Sequence, residues 1–181
     1  MKKQLVSILF ALCMVLCLVP LAAFAEGETE NVREVTDQTG LFNAMADDTV
    51  TTVKLAADIY IGATLTVDRE MKLDLNGFVL KYQNDSARGS VIKVASGGNL
   101  TLTDSDDKKV HKFDKSVMPW TLATDTTAEE NIVDVPGGII TGGTGTVVNP
   151  NSSCGGGVYV ASDSSGSGIF TMTGGSIVGF T

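Results

Sequence analysis

The sequence has little of what catalysis and cross-linking use most. Its 181 residues hold one histidine (His111), one tryptophan (Trp120), three arginines (Arg33, Arg69 and Arg88) and three cysteines. A single histidine with no cysteine or second histidine beside it argues against a zinc site. Cys13 and Cys17 fall in an apolar leader, so Cys154 stands alone in the processed chain and no intrachain disulfide can form there. Basic charge is also scarce, with 13 Lys and Arg against 21 Asp and Glu. That balance disfavours nucleic acid and anionic membrane as partners, since both need basic patches. After the leader, no apolar run reaches the roughly 20 residues of a membrane-spanning helix.

The leader itself is legible. Lys2 and Lys3 precede an apolar run from Leu5 to Leu18, Pro20 breaks it, and Ala23-Phe24-Ala25 has the small-x-small form of a signal-peptidase site. Residues 1–25 are therefore expected to be a signal peptide, and the protein to be exported, secreted or held at the cell surface. The alternative, an uncleaved anchor, is set against the shortness of the run. Cleavage removes both leader lysines and leaves 11 basic and 21 acidic residues, a net charge of −10, in a chain long enough for one domain.

Residues 26–38 are polar and read as a flexible entry segment. Thr39 can cap a short helix over about 40–46, with Leu41, Ala44 and Met45 on one face and Phe42 beside it. Short strands with period-2 alternation follow: Val53-Lys54-Leu55, Leu65-Thr66-Val67, Met71 to Leu75, Phe78 to Lys81, Val91 to Val94, and Leu100 to Thr103. Turn signals at Asn76-Gly77 and Ser96-Gly97-Gly98-Asn99 separate some of them. Residues 104–135 break the rhythm and read as a long loop excursion.

Residues 137–181 hold 13 of the 20 glycines and one charged residue, Asp163. Here Gly137-Gly138-Ile139-Ile140-Thr141-Gly142 returns as Gly174-Gly175-Ser176-Ile177-Val178-Gly179, identical at four of six positions with a period of 37. A fixed period of this size points to a solenoid, in which each repeat buries its apolar face on its neighbours. No stretch between the strands has helical spacing. Parallel strands joined by short turns fit a coil wound about its own core. The expected fold is all-β, a right-handed single-stranded parallel β-helix over 39–181 with the helix as its N-terminal cap; a β-sandwich is the alternative. Two side loops are expected, at residues 144–154 and 161–168. The second repeat starts at Gly174, so the chain is expected to be C-terminally truncated, with further coils of a longer chain as its natural neighbour.

The Gly-Gly-x-Ile-x-Gly element, Gly155-Gly156-Gly157-Val158-Tyr159-Val160, Phe170-Thr171-Met172-Thr173-Gly174-Gly175 and Leu73-Asp74-Leu75-Asn76-Gly77-Phe78-Val79-Leu80 together resemble repeats of secreted bacterial β-helix proteins of the pectate-lyase-like superfamily, which includes adhesin-like surface proteins. The resemblance implies a fold more than an activity. Lyases of that superfamily hold calcium with acidic residues and use an arginine as base; its hydrolases use aspartates from adjacent strands. None of the three arginines here sits in such a motif.

Candidate site residues are few. Asp104, Asp106 and Asp107 form the nearest carboxylate cluster, readable as a solvated turn, a calcium site or an acid–base pair. Trp120 can stack on a sugar, or pack its loop against the strands together with Met118 and Leu122. His111 is the one other ligand-binding candidate. Cys154 reads as a small turn residue or a reactive thiol. The expected function is an adhesin-like binding or structural role towards glycans or host and extracellular proteins, non-catalytic and needing no cofactor, with calcium as the one open case. The alternative is the front part of a polysaccharide lyase or glycoside hydrolase.

Overall fold

The computed structural model describes residues 30–84, 87–117, 120–149, 152–164 and 166–179. The signal-peptide reading of residues 1–25 and the side chain of Met118 lie outside these. No helix among the described residues is long and apolar enough to cross a membrane.

The entry segment is less loose than its polarity suggests. Residues Val32–Val35 form strand β1, which pairs in parallel with β2 (Thr52–Leu55), Val32 opposite Thr52 and Val35 opposite Leu55. Val35 supplies the reason: it is buried in the main core. Helix α1 (Gln38–Ala46) lies between the two strands and buries Leu41, Ala44 and Met45, as the spacing predicts. Its cap is Asp37, not Thr39. Asp37 has an extended backbone, and its Oδ1 accepts the Gly40 N–H at 2.7 Å. Thr39 already lies inside the first turn.

The C-terminal end of α1 is fastened by two side chains. The Asp47 carboxylate accepts from Thr49 Oγ1 at 2.6 Å and from Thr49 N at 3.0 Å. These bonds, with Arg33 and Arg69 nearby, hold it below the usual carboxylate range. Arg69 donates to the carbonyls of Val50 (2.8 Å), Asp47 (2.7 Å) and Met45 (3.3 Å). A guanidinium on the last carbonyls of a helix satisfies orphan acceptors and favours the negative end of the dipole.

From β2 to β8 each strand enters a different sheet from the one before. β2, β3 (Ile59–Ile61) and β4 (Leu65–Val67) lie in the first, second and third sheets. β5 (Glu70–Asp74), β6 (Val79–Tyr82) and β7 (Ile92–Val94) visit the same sheets in the same order, and β8 (Asn99–Thr103) returns to the first. Three antiparallel strands then stand apart: β9 (Val110–Asp114), β10 (Thr121–Leu122) and β11 (Ile132–Pro136). The rotation resumes with β12 (Ile139–Thr141) in the second sheet. The hairpin β13 (Thr146–Asn149) and β14 (Ser152–Cys154) precedes β15 (Val158–Val160) in the third. A smaller hairpin, β16 (Ser162–Asp163) and β17 (Gly166–Ser167), precedes β18 (Ile169–Met172) in the first, and β19 (Ser176–Ile177) enters the second.

All pairings within these three sheets are parallel, and the described chain is all-β with one α-helix. Val53 faces Leu73, Leu73 faces Leu102, and Leu102 faces Met172. The sequence repeat is the pairing register: Ile140 lies opposite Ile177, 37 residues on. Alternate residues point into one cluster shared by the three sheets, including Leu73 and Leu102, Leu80 and Ile140, and Leu65 and Ile92. Each is fully buried, a gain of about 1.5–3 kcal/mol per side chain over exposure.

Three expected loops take up structure. The side loops at 144–154 and 161–168 each hold a pair of antiparallel strands, β13 with β14 and β16 with β17. The excursion at 104–135 holds a three-stranded antiparallel sheet with a small core of its own. Phe113 and Val135 pack on Val79 and Ile139, the residues of β6 and β12 that point away from the main core. Phe113 is completely buried and, with the burial a large aromatic brings, anchors the excursion on the existing sheet.

Candidate functional site

Two of the sequence candidates, Asp104 and His111, meet at the turn where the chain passes from the first sheet to the second, and there they build the fold. At this turn the backbone leaves strand geometry, so its N–H groups need other acceptors. Asn76 and Gly77 both have positive φ (49° and 73°). The Asn76 amide donates to Leu55 O at 2.9 Å, reaching the pass before it. Asp58 Oδ1 accepts the Val79 N–H at 2.9 Å. Asp74, itself buried, accepts from Asn76 N at 2.9 Å and Ser105 N at 2.8 Å.

Asp104 completes this set. Its Oδ1 accepts the Gly77 N–H at 2.7 Å and its Oδ2 accepts the Gly138 N–H at 2.6 Å. Gly77 and Gly138 are both buried, so one carboxylate satisfies a donor in the pass before it and another in the pass after it. These are short, charge-assisted bonds. The expected carboxylate cluster does not form. Asp106 accepts from Lys108 N at 3.2 Å in its own turn, and Asp106 and Asp107 are exposed. Among the described residues, no group of three or more His, Cys, Asp or Glu side chains is placed to hold a metal ion.

His111 and Trp120 serve the excursion. His111, on β9, donates from Nε2 to Gly77 O at 2.8 Å, so the same turn binds the excursion to the sheets. Trp120 is half-buried and packs with Leu122 and Val133 against the small core of Phe113, Val135, Val79 and Ile139. Its ring is a packing element first. On the opposite side of β9, Asp114 accepts from Ser116 Oγ at 2.6 Å and Ser116 N at 2.8 Å, which holds its carboxyl below the usual range.

The arginines are likewise engaged. Arg33 pairs with Asp47 at 3.4 Å, Arg69 holds the end of α1, and Arg88 donates to Thr144 O at 3.1 Å. Cys154 is exposed at the end of β14.

A cleft of ≈ 370 Å³ opens elsewhere, between the C-terminal half of α1 and β4. Phe42 and Met45 line it from the helix, Thr66 and Asp68 from the strand side, and Asp48 and Arg69 also border it. Sequence reasoning missed this site. The alternation Thr64, Thr66, Asp68 does mark an outward-facing row, but which helix residues stand beside that row is set by the tertiary fold.

No protein-family model, no curated protein and no solved structure matches the chain.

Proposed function

We propose that this protein is an exported, right-handed parallel β-helix with an adhesin-like role, making contact with glycans or extracellular proteins and performing no chemistry on them. The observation that carries this reading is the use made of the chemically capable residues. Asp74, Asp104, His111 and Arg69 spend their polar atoms on backbone groups of neighbouring passes. Surface is left for a partner, including the excursions, where Val110, Val117 and Val147 are exposed.

The β-helix is supported by the fixed order in which the chain visits three parallel sheets around one core. A sandwich of hairpins pairs consecutive strands, whereas here consecutive strands from β2 to β8 lie in different sheets. Right-handedness follows from the strong preference of parallel crossovers for that hand. Export rests on the leader sequence, and a net charge of −10 after its removal suits an extracellular, soluble surface.

The test separates contact from catalysis. Residues 26–181 are incubated with polygalacturonate and other acidic and neutral glycans, with and without calcium, while binding and chain cleavage are both followed. Retention on immobilised glycan or extracellular-matrix protein without cleavage is the expected result. Release of unsaturated or reducing ends would put the protein among the polysaccharide lyases or hydrolases instead.

A further inference from the structure

The cleft beside α1 has a one-sided chemistry. Its apolar surface comes from Phe42, Met45 and Leu65, and its polar groups are the carboxylates of Asp48 and Asp68 with the hydroxyls of Thr64 and Thr66. The one cation at its edge, Arg69, has both terminal nitrogens bonded to protein carbonyls. Its Nη1 bonds to Val50 O and, at 3.3 Å, to Glu70 O; its Nη2 bonds to Asp47 O and Met45 O; its Nε faces Asp48 at 3.8 Å. Four hydrogen bonds and one ion-pair contact thereby engage the guanidinium with protein oxygens.

The acids are the reverse case. The Asp48 side chain is 96% exposed, with Arg69 Nε at 3.8 Å as its ion-pair contact. Asp68 is exposed and has no hydrogen-bond or ion-pair partner among the described residues. The cleft thus offers acceptors, negative charge and an aromatic edge, with its one cation engaged by the protein. A volume of this size lies at the low end of small-ligand sites and accommodates a single long side chain.

We infer that this cleft receives a lysine or arginine side chain from a basic segment of a partner protein. The aliphatic stem lies along Phe42 and Met45, and the charged head meets Asp48 and Asp68. A long cationic side chain is the group that can use both halves of such a surface, apolar along its stem and charged at its tip. An acidic glycan is disfavoured by like charge. A neutral sugar gains nothing from two carboxylates beyond what hydroxyls supply. The inference rests on the reading of the chain as a binding protein and narrows the partner at this site from glycan or protein to a basic protein segment.

The test is a nitrogen-15 NMR titration of the chain with an acetylated heptapeptide bearing two arginines, beside the same peptide with citrulline in their place. The expected result is a set of shift changes confined to Phe42, Asp48, Thr66, Asp68 and their neighbours. The citrulline peptide should bind more weakly, and the variant Asp48→Asn/Asp68→Asn should lose about tenfold in affinity. Both aspartates are exposed, so the variant keeps the dispersed spectrum of the folded chain. Equal binding by that variant, shift changes spread over the acidic surface, or saturation of the cleft by methyl glucoside in place of the peptide would each overturn the inference. Retention of the same variant on glycans or matrix proteins, measured in parallel, reports on the binding role separately.

Discussion

Replacing Gly138 by alanine is expected to destabilise the protein by about 3 kcal/mol or more, among the larger effects open to a single methyl group. A Cβ at this position would overlap the Cβ of Leu75 and come within 3.1 Å of Asp104 Oδ1. Leu75 is fully buried in the main core and cannot swing away. Gly138 cannot retreat either. Its N–H is held by Asp104 at 2.6 Å, and its carbonyl accepts from Ser176 N at 2.9 Å in the following pass. Any relief therefore moves β12 relative to both neighbours. Gly62→Ala is the matched control: the nearest atom to its added Cβ is Gln38 Oε1 at 3.9 Å, and its stability is expected to change by less than about 0.5 kcal/mol. Urea unfolding of the two variants, read as a shift of the midpoint at constant slope, checks both values.

Asp104→Ala is expected to cost about 3 kcal/mol, since it strands two buried N–H groups, those of Gly77 and Gly138, that now share one carboxylate. Asp104→Asn keeps one acceptor oxygen and turns an amide N–H towards the other donor, so it is expected to lose somewhat less. The comparison discriminates between roles. A structural carboxylate gives this graded loss with or without calcium. A metal ligand would give an unfolding midpoint that rises with calcium in the native protein and ceases to do so in both variants. The first pattern is expected.

The sequence carried the strands because burial in this fold is written at period two. Met71, Leu73 and Leu75 alternate with Lys72 and Asp74, and the three apolar residues are buried. The 37-residue repeat carried still more, because two passes that stack in register must present the same glycines and the same inward isoleucine to each other. Ile140 and Ile177 are that pair.

Other elements were hidden for identifiable reasons. β3 has only Ile59 and Ile61 as inward residues, too few to show a period, and its pairing with β6 is what makes it a strand. β9 and β11 have apolar residues that matter only because Val79 and Ile139 face them. The helix start was read at Thr39, whereas Asp37, two residues earlier, is the cap, set by backbone geometry that composition does not encode. Asp104 looked like a loop carboxylate beside two others because its partners, Gly77 and Gly138, lie 27 and 34 residues away along the chain. Its chemistry is ordinary for a buried turn, and only the fold brings that turn to it.

Consecutive strands from β2 to β8 lie in different sheets, and the neighbours of each come from the previous and following passes. Thr101 reports on it most directly, since it is placed between Lys72 in β5 and Thr171 in β18. Nuclear Overhauser contacts from the backbone of Thr101 are predicted to reach both Lys72 and Thr171 in parallel register, with none to β7. Antiparallel contacts between β7 and β8 across the Gly97 turn, the mark of a hairpin, would contradict the account.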